Sequence, residues 1–162
     1  MFTAIPLNLR RAQRSDKEAL GEWERDSVRK ILFGKKESQI EDSLKTLLSD
    51  PSRTLLIATF DNVRIGALIL SPCSEGVFDI SILIRPPYGM RRFSAQLIES
   101  TFNYLRKDHK NVTLNLISAA PEAALRELFC FDSEHQDFCY RSTFEKIEPL
   151  TRISFKRREV LQ

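Results

Sequence analysis

Apolar side chains recur with two different periods along this chain, and the period separates the expected strands from the expected helices. Alternation at every second residue predicts strands over residues 7–11, 54–60, 63–71, 77–84, 112–118 and 137–144. Recurrence at helical spacing predicts helices over residues 15–33, 38–50, 93–106 and 121–129. We therefore expect an α/β (α+β) domain with the element order β-α-α-β-β-β-α-β-α-β.

Short local signals mark the boundaries of some of these elements. Ser15 and Glu18 have the spacing of a capping box, which indicates a helix start. The pair Asp61-Asn62 between two β-rich runs predicts a two-residue hairpin turn, because both residue types tolerate positive φ. The strand over 77–84 has apolar side chains on both faces, which predicts a position in the middle of the sheet.

The last part of the chain carries weaker signals. Residues 1–162 form a single domain in this interpretation, and residues 145–162 are a C-terminal extension of it. Within that extension, residues 151–155 could add an edge strand, and the basic run at 156–158 indicates a solvated end.

The composition matches that of an ordinary globular domain. Hydrophobic residues make up 42% of the chain and charged residues 29%, which argues against a disordered or disulfide-dense chain. Apolar stretches such as 65–70 are far shorter than the roughly 20 residues that a membrane span needs. The start of the chain lacks the features of a signal peptide. We therefore expect a cytoplasmic protein with no membrane partner.

Cysteine and charge patterns exclude further classes of site. Cys73, Cys130 and Cys139 are widely spaced and include no CxxC pair, which predicts buried thiols and no disulfide or metal site. His109 and His135 are isolated. The net charge of +3 is too small to demand a polyanion, so a nucleic-acid partner is not indicated.

The order of elements over residues 7–144 resembles that of the GNAT acetyltransferase superfamily, and local sequence agrees. Arg10, Ala12 and Asp16 match an Arg-x-Ala-x-x-x-Asp run in the opening strand of that family, and residues 61–66 resemble its hairpin. The resemblance implies a central mixed, mostly antiparallel twisted sheet of six to seven strands flanked by about four helices. It also implies that acetyl-CoA is the cosubstrate and that an amine is the acceptor.

The phosphate loop of that family would fall on residues 84–97, where backbone N–H groups at a helix start receive the pyrophosphate of acetyl-CoA. Met90 and Arg92 stand where the family usually has glycine or a small residue. The guanidinium groups of Arg91 and Arg92 can bind phosphate oxygens by side chain instead. The resemblance assigns the cofactor contacts to Leu83, Ile84, Gly89, Met90, Arg91, Arg92, Phe93, Ser94 and Arg126.

Direct attack of a neutral amine on the thioester is the reaction that the resemblance implies, with a carboxylate or water removing the proton. Asp79, on the strand at 77–84, is the candidate general base; its alternative role is a hydrogen-bonded polar residue of the sheet. Tyr140 is the candidate acid and Tyr88 a substitute for it, and packing is the alternative for each. Arg126 stands where the family has its usual tyrosine acid.

Acceptor recognition in that family comes largely from the first two helices and the loop between them. That region includes Glu22, Trp23, Glu24 and Asp26, whose mixed surroundings also fit a solvated helix face. The sequence names no acceptor and no oligomeric state, and a homodimer is one state to test.

Three functions stay open at this point. The first is an acetyl-CoA-dependent N-acetyltransferase acting on an amine of a small molecule or protein. The second is a catalytically impaired GNAT-like binding or regulatory module that no longer uses acetyl-CoA, as the changes at Met90, Arg92, Ala119 and Arg126 would allow. The third, nucleic-acid binding through the basic run at 156–158, has the least support.

Overall fold

The computed structural model describes residues 7–24, 51–84, 90–130 and 139–158, with the backbone alone at 21–24, 83–84, 90–92 and 130. The helix expected over 38–50 lies outside these ranges, as does the helix expected over 15–33 beyond residue 24. The described strands are β1 (Asn8–Arg11), β2 (Thr54–Phe60), β3 (Val63–Ser74), β4 (Val77–Ile84), β5 (Thr113–Ser118), β6 (Tyr140–Ile147) and β7 (Leu150–Arg157). The described helices are α1 (Lys17–Glu24), α2 (Met90–Leu105) and α3 (Glu122–Cys130), and a 3-10 turn (Arg14–Asp16) precedes α1.

The seven strands form one sheet in the order β1-β2-β3-β4-β5-β7-β6. Every neighbouring pair is antiparallel except β4 and β5, which are parallel and are joined through α2. β4 therefore lies mid-sheet, as its two-sided apolar pattern predicts, and the helix that follows it is a crossover. The architecture is the α/β fold with a mixed, mostly antiparallel sheet that the sequence predicts.

β7 is an internal strand, so the prediction of an edge strand over residues 151–155 was wrong. It pairs with β5 on one side and with β6 on the other. Its alternate residues Thr151, Ile153 and Phe155 are buried, with Ile153 and Phe155 fully so. The strand extends to Arg157, and the N–H of Arg158 donates to the Cys139 carbonyl at 2.7 Å. The backbone of the basic run thus continues the sheet through Arg157, while the side chains of Lys156 and Arg158 are exposed.

Apolar side chains on the two faces of the sheet form two separate clusters. The larger cluster lies under α2 and α3 and includes Ile80, Ile82, Phe93, Leu97, Leu125 and Phe129. The smaller cluster lies under α1, where Leu20 packs against Leu55, Ile57 and Ala67. Burial of this apolar area on both faces is the main stabilising contribution to the fold.

The tight turn between β2 and β3 has the conformation that its sequence predicts. Asp61 has a φ of 50° and Asn62 a φ of 64°. Two consecutive residues in the left-handed region give the two-residue turn whose twist matches that of the adjoining strands. The β2–β3 hairpin is therefore set by its local sequence.

A buried carboxylate joins the start of α1 to β1 and β3. The Asp16 side chain is fully buried, and it accepts hydrogen bonds from the Arg10 guanidinium at 2.8 and 2.9 Å. It also accepts from Arg64 Nε at 2.8 Å and from the N–H of Gln13 at 2.7 Å. The capping residues are therefore Gln13 and Asp16, two positions before the predicted pair. Three charge-assisted bonds and one backbone bond satisfy this carboxylate.

The structure bears on two further points, the cysteine thiols and the length of the helices. Cys73 is exposed, so the prediction of a buried thiol was wrong there. It lies at the register shift between Pro72 and Ser74, where it has no partner residue in the pairing of β3 with β4. None of the helices in the described ranges has the length and apolarity to cross a membrane.

Candidate functional site

β4 and β5 separate soon after they meet, and the gap between them is the main irregularity of the sheet. Their parallel pairing covers three residue pairs, from Val77–Thr113 to Asp79–Asn115. β4 then continues to Ile84 and β5 to Ser118 without pairing to each other. We call this gap, between residues 80–84 and 116–118, the wedge. Its apex is the pair Asp79–Asn115.

Backbone polar groups line the wedge. The N–H of Thr113 donates to the carbonyl of Gly76 at 2.8 Å, so even-numbered residues of β4 direct their backbone groups toward β5. Pro72 of β3, the partner of Phe78, agrees with this assignment. Because Phe78 directs its backbone groups toward β5, the position opposite it on β3 needs no N–H donor, and proline has none. Within the described pairing, both backbone groups of Ile82 face β5 with no partner on that strand. Such groups are suited to bind an extended ligand that carries amides.

The helix start at the end of β4 supplies further backbone donors. α2 begins at Met90 and runs for 16 residues. The first four N–H groups of a helix, here those of residues 90–93, have no partner within the helix, and the helix dipole favours an anion near them. No acidic residue lies in this first turn. In the chain, the segment 85–89 connects the end of β4 to the start of α2, and it lies outside the described residues.

The structure divides the predicted cofactor residues into three groups. Gly89 lies outside the described residues, and Leu83, Ile84, Met90, Arg91 and Arg92 are described by backbone alone. The side chains of Phe93 and Ser94 are buried, and the Phe93 ring packs at 5.6 Å on that of Phe60, so only their backbone groups can contact a ligand at the helix start. The third group is Arg126 on α3.

Arg126 has contacts of its own at the surface. Its guanidinium carbon lies 4.2 Å from the centre of the Phe144 ring, and its Nε lies 3.7 Å from a carboxylate oxygen of Glu122. The side chain is 56% exposed, so these are surface contacts of small energy. They leave the guanidinium accessible to a ligand.

Asp79 lies at the apex of the wedge, on the face opposite α2 and α3. It is exposed, and its strand neighbours Phe78 and Ile80 are buried on the other face. The alternation along β4 predicts this phase, because Phe78, Ile80 and Ile82 share one face of the strand and Asp79 lies on the other. The side chain is therefore open to solvent at the point where the two strands part.

Tyr140 does not lie on this open face, and its contacts fit the alternative role in packing. The side chain is buried, and its hydroxyl donates to the Phe129 carbonyl at 2.8 Å. The ring stacks against Phe102 at 6.3 Å and meets Phe155 edge-on at 5.3 Å. A hydroxyl held by a carbonyl in the core is a packing group. The alternative candidate Tyr88 lies outside the described residues.

A line of polar side chains crosses the sheet at the apex, and sequence reasoning missed it. Cross-strand pairing places one polar residue from each of five strands in register on the face that carries Asp79. We call these residues the polar row: Ser71, Asp79, Asn115, Ser154 and Thr143. Their contact depends on strand pairing between segments distant in sequence, so only the alternation of polar positions within each strand could have indicated it.

Two members of the polar row hold each other. The Ser154 hydroxyl donates to Asn115 Oδ1 at 2.7 Å, and both side chains are partly buried. Because this bond occupies the amide oxygen, the amide group of Asn115 is fixed with its NH₂ end available for another partner. Asn115 is thus an oriented hydrogen-bond donor at the apex of the wedge.

Cys73 lies next to Asp79 at the end of β3. Its Sγ is 3.7 Å from the carbonyl oxygen of Ser71, the residue that pairs with Asp79. A hydrogen bond with the Asp79 carboxylate raises the pKa of the Cys73 thiol, with burial and the charge of Asp79 acting in the same direction. The neighbouring carboxylate therefore favours the neutral form of the Cys73 thiol.

Metal ligands do not cluster in the part of the chain that the structure describes: no group of three His, Cys, Asp or Glu side chains there could hold an ion. His109 packs edge-on against Phe78 at 5.2 Å, at the end of β4 away from the wedge.

Comparison with known proteins identifies the fold. No family model matches this sequence, and no curated protein sequence matches it. Solved structures do match over nearly the whole chain. Spermidine N-acetyltransferase from Vibrio cholerae, in complex with CoA and spermine, has 12% identity and a TM-score of 0.66, covering 93% of this chain and 95% of its own. This chain has the GNAT fold.

Two further GNAT structures give the same result. AAC(6')-Ib in complex with ribostamycin and coenzyme A has 15% identity and a TM-score of 0.66, with 94% of each chain covered. The ribosomal protein α-N-acetyltransferase RimL in complex with coenzyme A has 12% identity and a TM-score of 0.62, covering 96% of this chain and 94% of its own. The sequence prediction of a GNAT-like fold is confirmed.

Proposed function

We propose that this chain is an acetyl-CoA-dependent N-acetyltransferase that transfers an acetyl group to an amine of a small molecule or a protein. The observation that carries the proposal is the wedge, where the backbone groups of Ile82 have no partner on β5 within the described pairing, together with the start of α2, which follows β4 in the chain. The three structural neighbours described above each hold CoA, and two of them also hold an amine ligand, spermine or ribostamycin. A free strand edge and a helix start together fit a ligand that has amides at one end and phosphates at the other.

The residues present fit acetyl-CoA in two ways. The edge of β4 at residues 80–84 offers backbone donors and acceptors to the amides of the pantetheine arm. The N–H groups of residues 90–93, with the side chains of Arg91 and Arg92, offer donors to the pyrophosphate. Arg126 on α3 is a further proposed contact of the cofactor.

Asp79 is the proposed general base. Acetyl-CoA, when bound, supplies the thioester from which the acetyl group is transferred. The acceptor amine forms the new C–N bond, the C–S bond breaks, and the Asp79 carboxylate takes the proton that the amine nitrogen loses. The departing thiolate receives its proton from water, since the Tyr140 hydroxyl is held by the Phe129 carbonyl.

Calorimetric titration with acetyl-CoA tests the first part of the proposal. We expect saturable binding, and we expect Arg92→Glu to weaken it about tenfold to a hundredfold, because a charge-assisted hydrogen bond contributes about 1.5–3 kcal/mol. Arg141→Glu is the matched control, because Arg141 is an exposed arginine on β6 outside the wedge. The absence of binding at millimolar acetyl-CoA would overturn the proposed N-acetyltransferase activity and would favour the alternative of a GNAT-like binding module.

Release of the CoA thiol with a set of primary amines tests the second part. We expect Asp79→Asn to lower kcat about a hundredfold or more while leaving the affinity for acetyl-CoA unchanged, since a general base contributes about 10²–10⁴ in rate. An unchanged kcat would return Asp79 to the role of a polar surface residue.

A further inference from the structure

The apex of the wedge places an acceptor and a donor of hydrogen bonds side by side. Asp79 of β4 and Asn115 of β5 are paired in parallel register, so their side chains leave the same face from strands about 4.8 Å apart. The carboxylate of Asp79 can only accept when it is ionised, whereas the amide of Asn115 has both kinds of group. Which end of the Asn115 amide is available to a ligand depends on the other contacts of this side chain.

Ser154 decides which end of the Asn115 amide is available. Its hydroxyl donates to Asn115 Oδ1 from β7, at 2.7 Å. Because Oδ1 and Nδ2 branch from the same carbon, the NH₂ group points away from the Ser154 hydroxyl. In the sheet order, β4 with Asp79 lies on the side of β5 opposite β7. Asn115 therefore offers donors next to a carboxylate that offers acceptors. This combination matches an amine with a carbonyl close to it.

We propose that the acceptor is an α-amino carbonyl compound such as the N-terminus of a peptide, bound by Asp79 and Asn115, with Ser154 as a positioning residue that orients Asn115; this rests on the proposed function. The amine nitrogen donates to Asp79, and the neighbouring carbonyl accepts from the Asn115 NH₂ group. An amine without a nearby carbonyl, such as a lysine side chain or a polyamine, satisfies Asp79 alone and leaves the Asn115 donors without that partner.

The charges on this face favour the same class of acceptor over a polycation. Among the described strand residues of this face, the next carboxylate is that of Glu145 on β6, which is paired with Arg152 on β7 at 3.5 Å. Lys156 and Arg141, on the other side of the polar row, are exposed and basic. These described cations repel the further positive charges of a polyamine. A single amine beside a carbonyl meets no such penalty.

Steady-state kinetics with two kinds of acceptor tests the proposal. We expect an alanyl dipeptide amide to be acetylated with a kcat/KM at least tenfold above that for Nα-acetyl-lysine amide or spermidine. Asn115→Ala should raise KM for the dipeptide about fivefold to tenfold, without the same change for the lysine compound. Ser154→Ala should give a smaller loss of the same kind. Comparing the effect of each variant between acceptors cancels the difference in basicity of their amines.

Thr143→Ala is the matched control. Thr143 belongs to the polar row but lies on β6, beyond Ser154 and outside the proposed subsite, so all kinetic constants should be unchanged. Calorimetry with acetyl-CoA on the same variants shows whether the cofactor site is intact. Equal affinity for acetyl-CoA in all of them is expected, because none of these side chains faces α2.

Labelling of Cys73 gives a readout that does not depend on activity. Its exposed thiol lies beside Asp79, so a bound dipeptide should slow its reaction with a maleimide several-fold, measured by peptide mass spectrometry with desulfo-CoA present. Asn115→Ala should remove this protection at the same dipeptide concentration. Protection by spermidine alone would contradict the proposal.

The outcomes separate the two proposals. Acetyl-CoA binding together with preferred transfer to lysine or spermidine, or no transfer to the dipeptide, overturns the α-amino acceptor and leaves the cofactor assignment standing. Failure of acetyl-CoA to bind overturns the proposed function itself. Dipeptide preference with the Asn115-dependent rise in KM supports both.

Discussion

Replacing Asp16 by asparagine should destabilise the fold more than any other single acid-to-amide change in the described strands and helices. The wild-type carboxylate is fully buried and accepts four hydrogen bonds, two from Arg10 and one each from Arg64 and Gln13. An amide removes the negative charge and turns an NH₂ group toward one of the guanidinium groups. Two arginines then lose the charge that holds them together.

The magnitude follows from how well water can replace the lost partner. Removing one member of a buried ion pair costs about 3–5 kcal/mol. The side chains of Arg10 and Arg64 are 33% and 38% exposed, so water can solvate part of each cation after the change. We therefore expect the lower end of that range, about 3 kcal/mol. A domain stabilised by about 5–15 kcal/mol loses a large share of its stability by this change.

Urea unfolding followed by circular dichroism at pH 7 measures the effect. Asp16→Asn should lower the free energy of unfolding by about 3 kcal/mol at an unchanged m-value, and Tm should fall by roughly 6–12 °C. Glu145→Gln is the control, because it removes a carboxylate that is 67% exposed and 3.5 Å from Arg152. That change should cost less than about 1 kcal/mol. Equal costs for the two variants would refute the reasoning.

Two further predictions concern single groups. The hydrogen bond from Arg10 is the main cause that holds the pKa of Asp16 below its usual value. The stabilisation by the Asp16 carboxylate is therefore complete above the unfolded pKa of about 4 and is lost as pH falls. The stability difference between wild type and Asp16→Asn should shrink from pH 7 to pH 3 in urea titrations, and a constant difference would contradict this. Tyr140→Phe removes the hydroxyl that donates to the Phe129 carbonyl, so it should cost about 1 kcal/mol of stability while kcat stays unchanged, whereas a tenfold fall in kcat would restore Tyr140 as the acid.

Local sequence was sufficient to predict the elements whose boundaries depend on neighbouring residues. The β2–β3 turn follows from Asp61 and Asn62, and the central position of β4 follows from its apolar residues on both faces. The same reasoning misplaced β7, although Thr151, Ile153 and Phe155 alternate as a half-buried strand should. Alternation identifies a strand, but it does not say which strands lie on either side, because pairing partners are distant in sequence.

The candidate site was only partly predictable for the same reason. The phase of Asp79 on β4 was visible in the sequence, and the structure places this residue on the open face at the apex of the wedge. The contact between Asn115 and Ser154 spans 39 residues and depends on the insertion of β7 beside β5. The burial of Tyr140 was not visible in the sequence, because one position in a strand separates a core residue from a surface residue and its phase is set by pairing with β7.

The contacts of Asp16 also have a consequence for the placement of α1. Asp16 joins the turn before α1 to Arg64 of β3 across 48 residues of sequence, and Leu20 of α1 packs against Leu55 of β2. The start of α1 is therefore anchored to the sheet by two long-range contacts, one polar and one apolar. A change at either contact should alter how α1 sits over this face of the sheet.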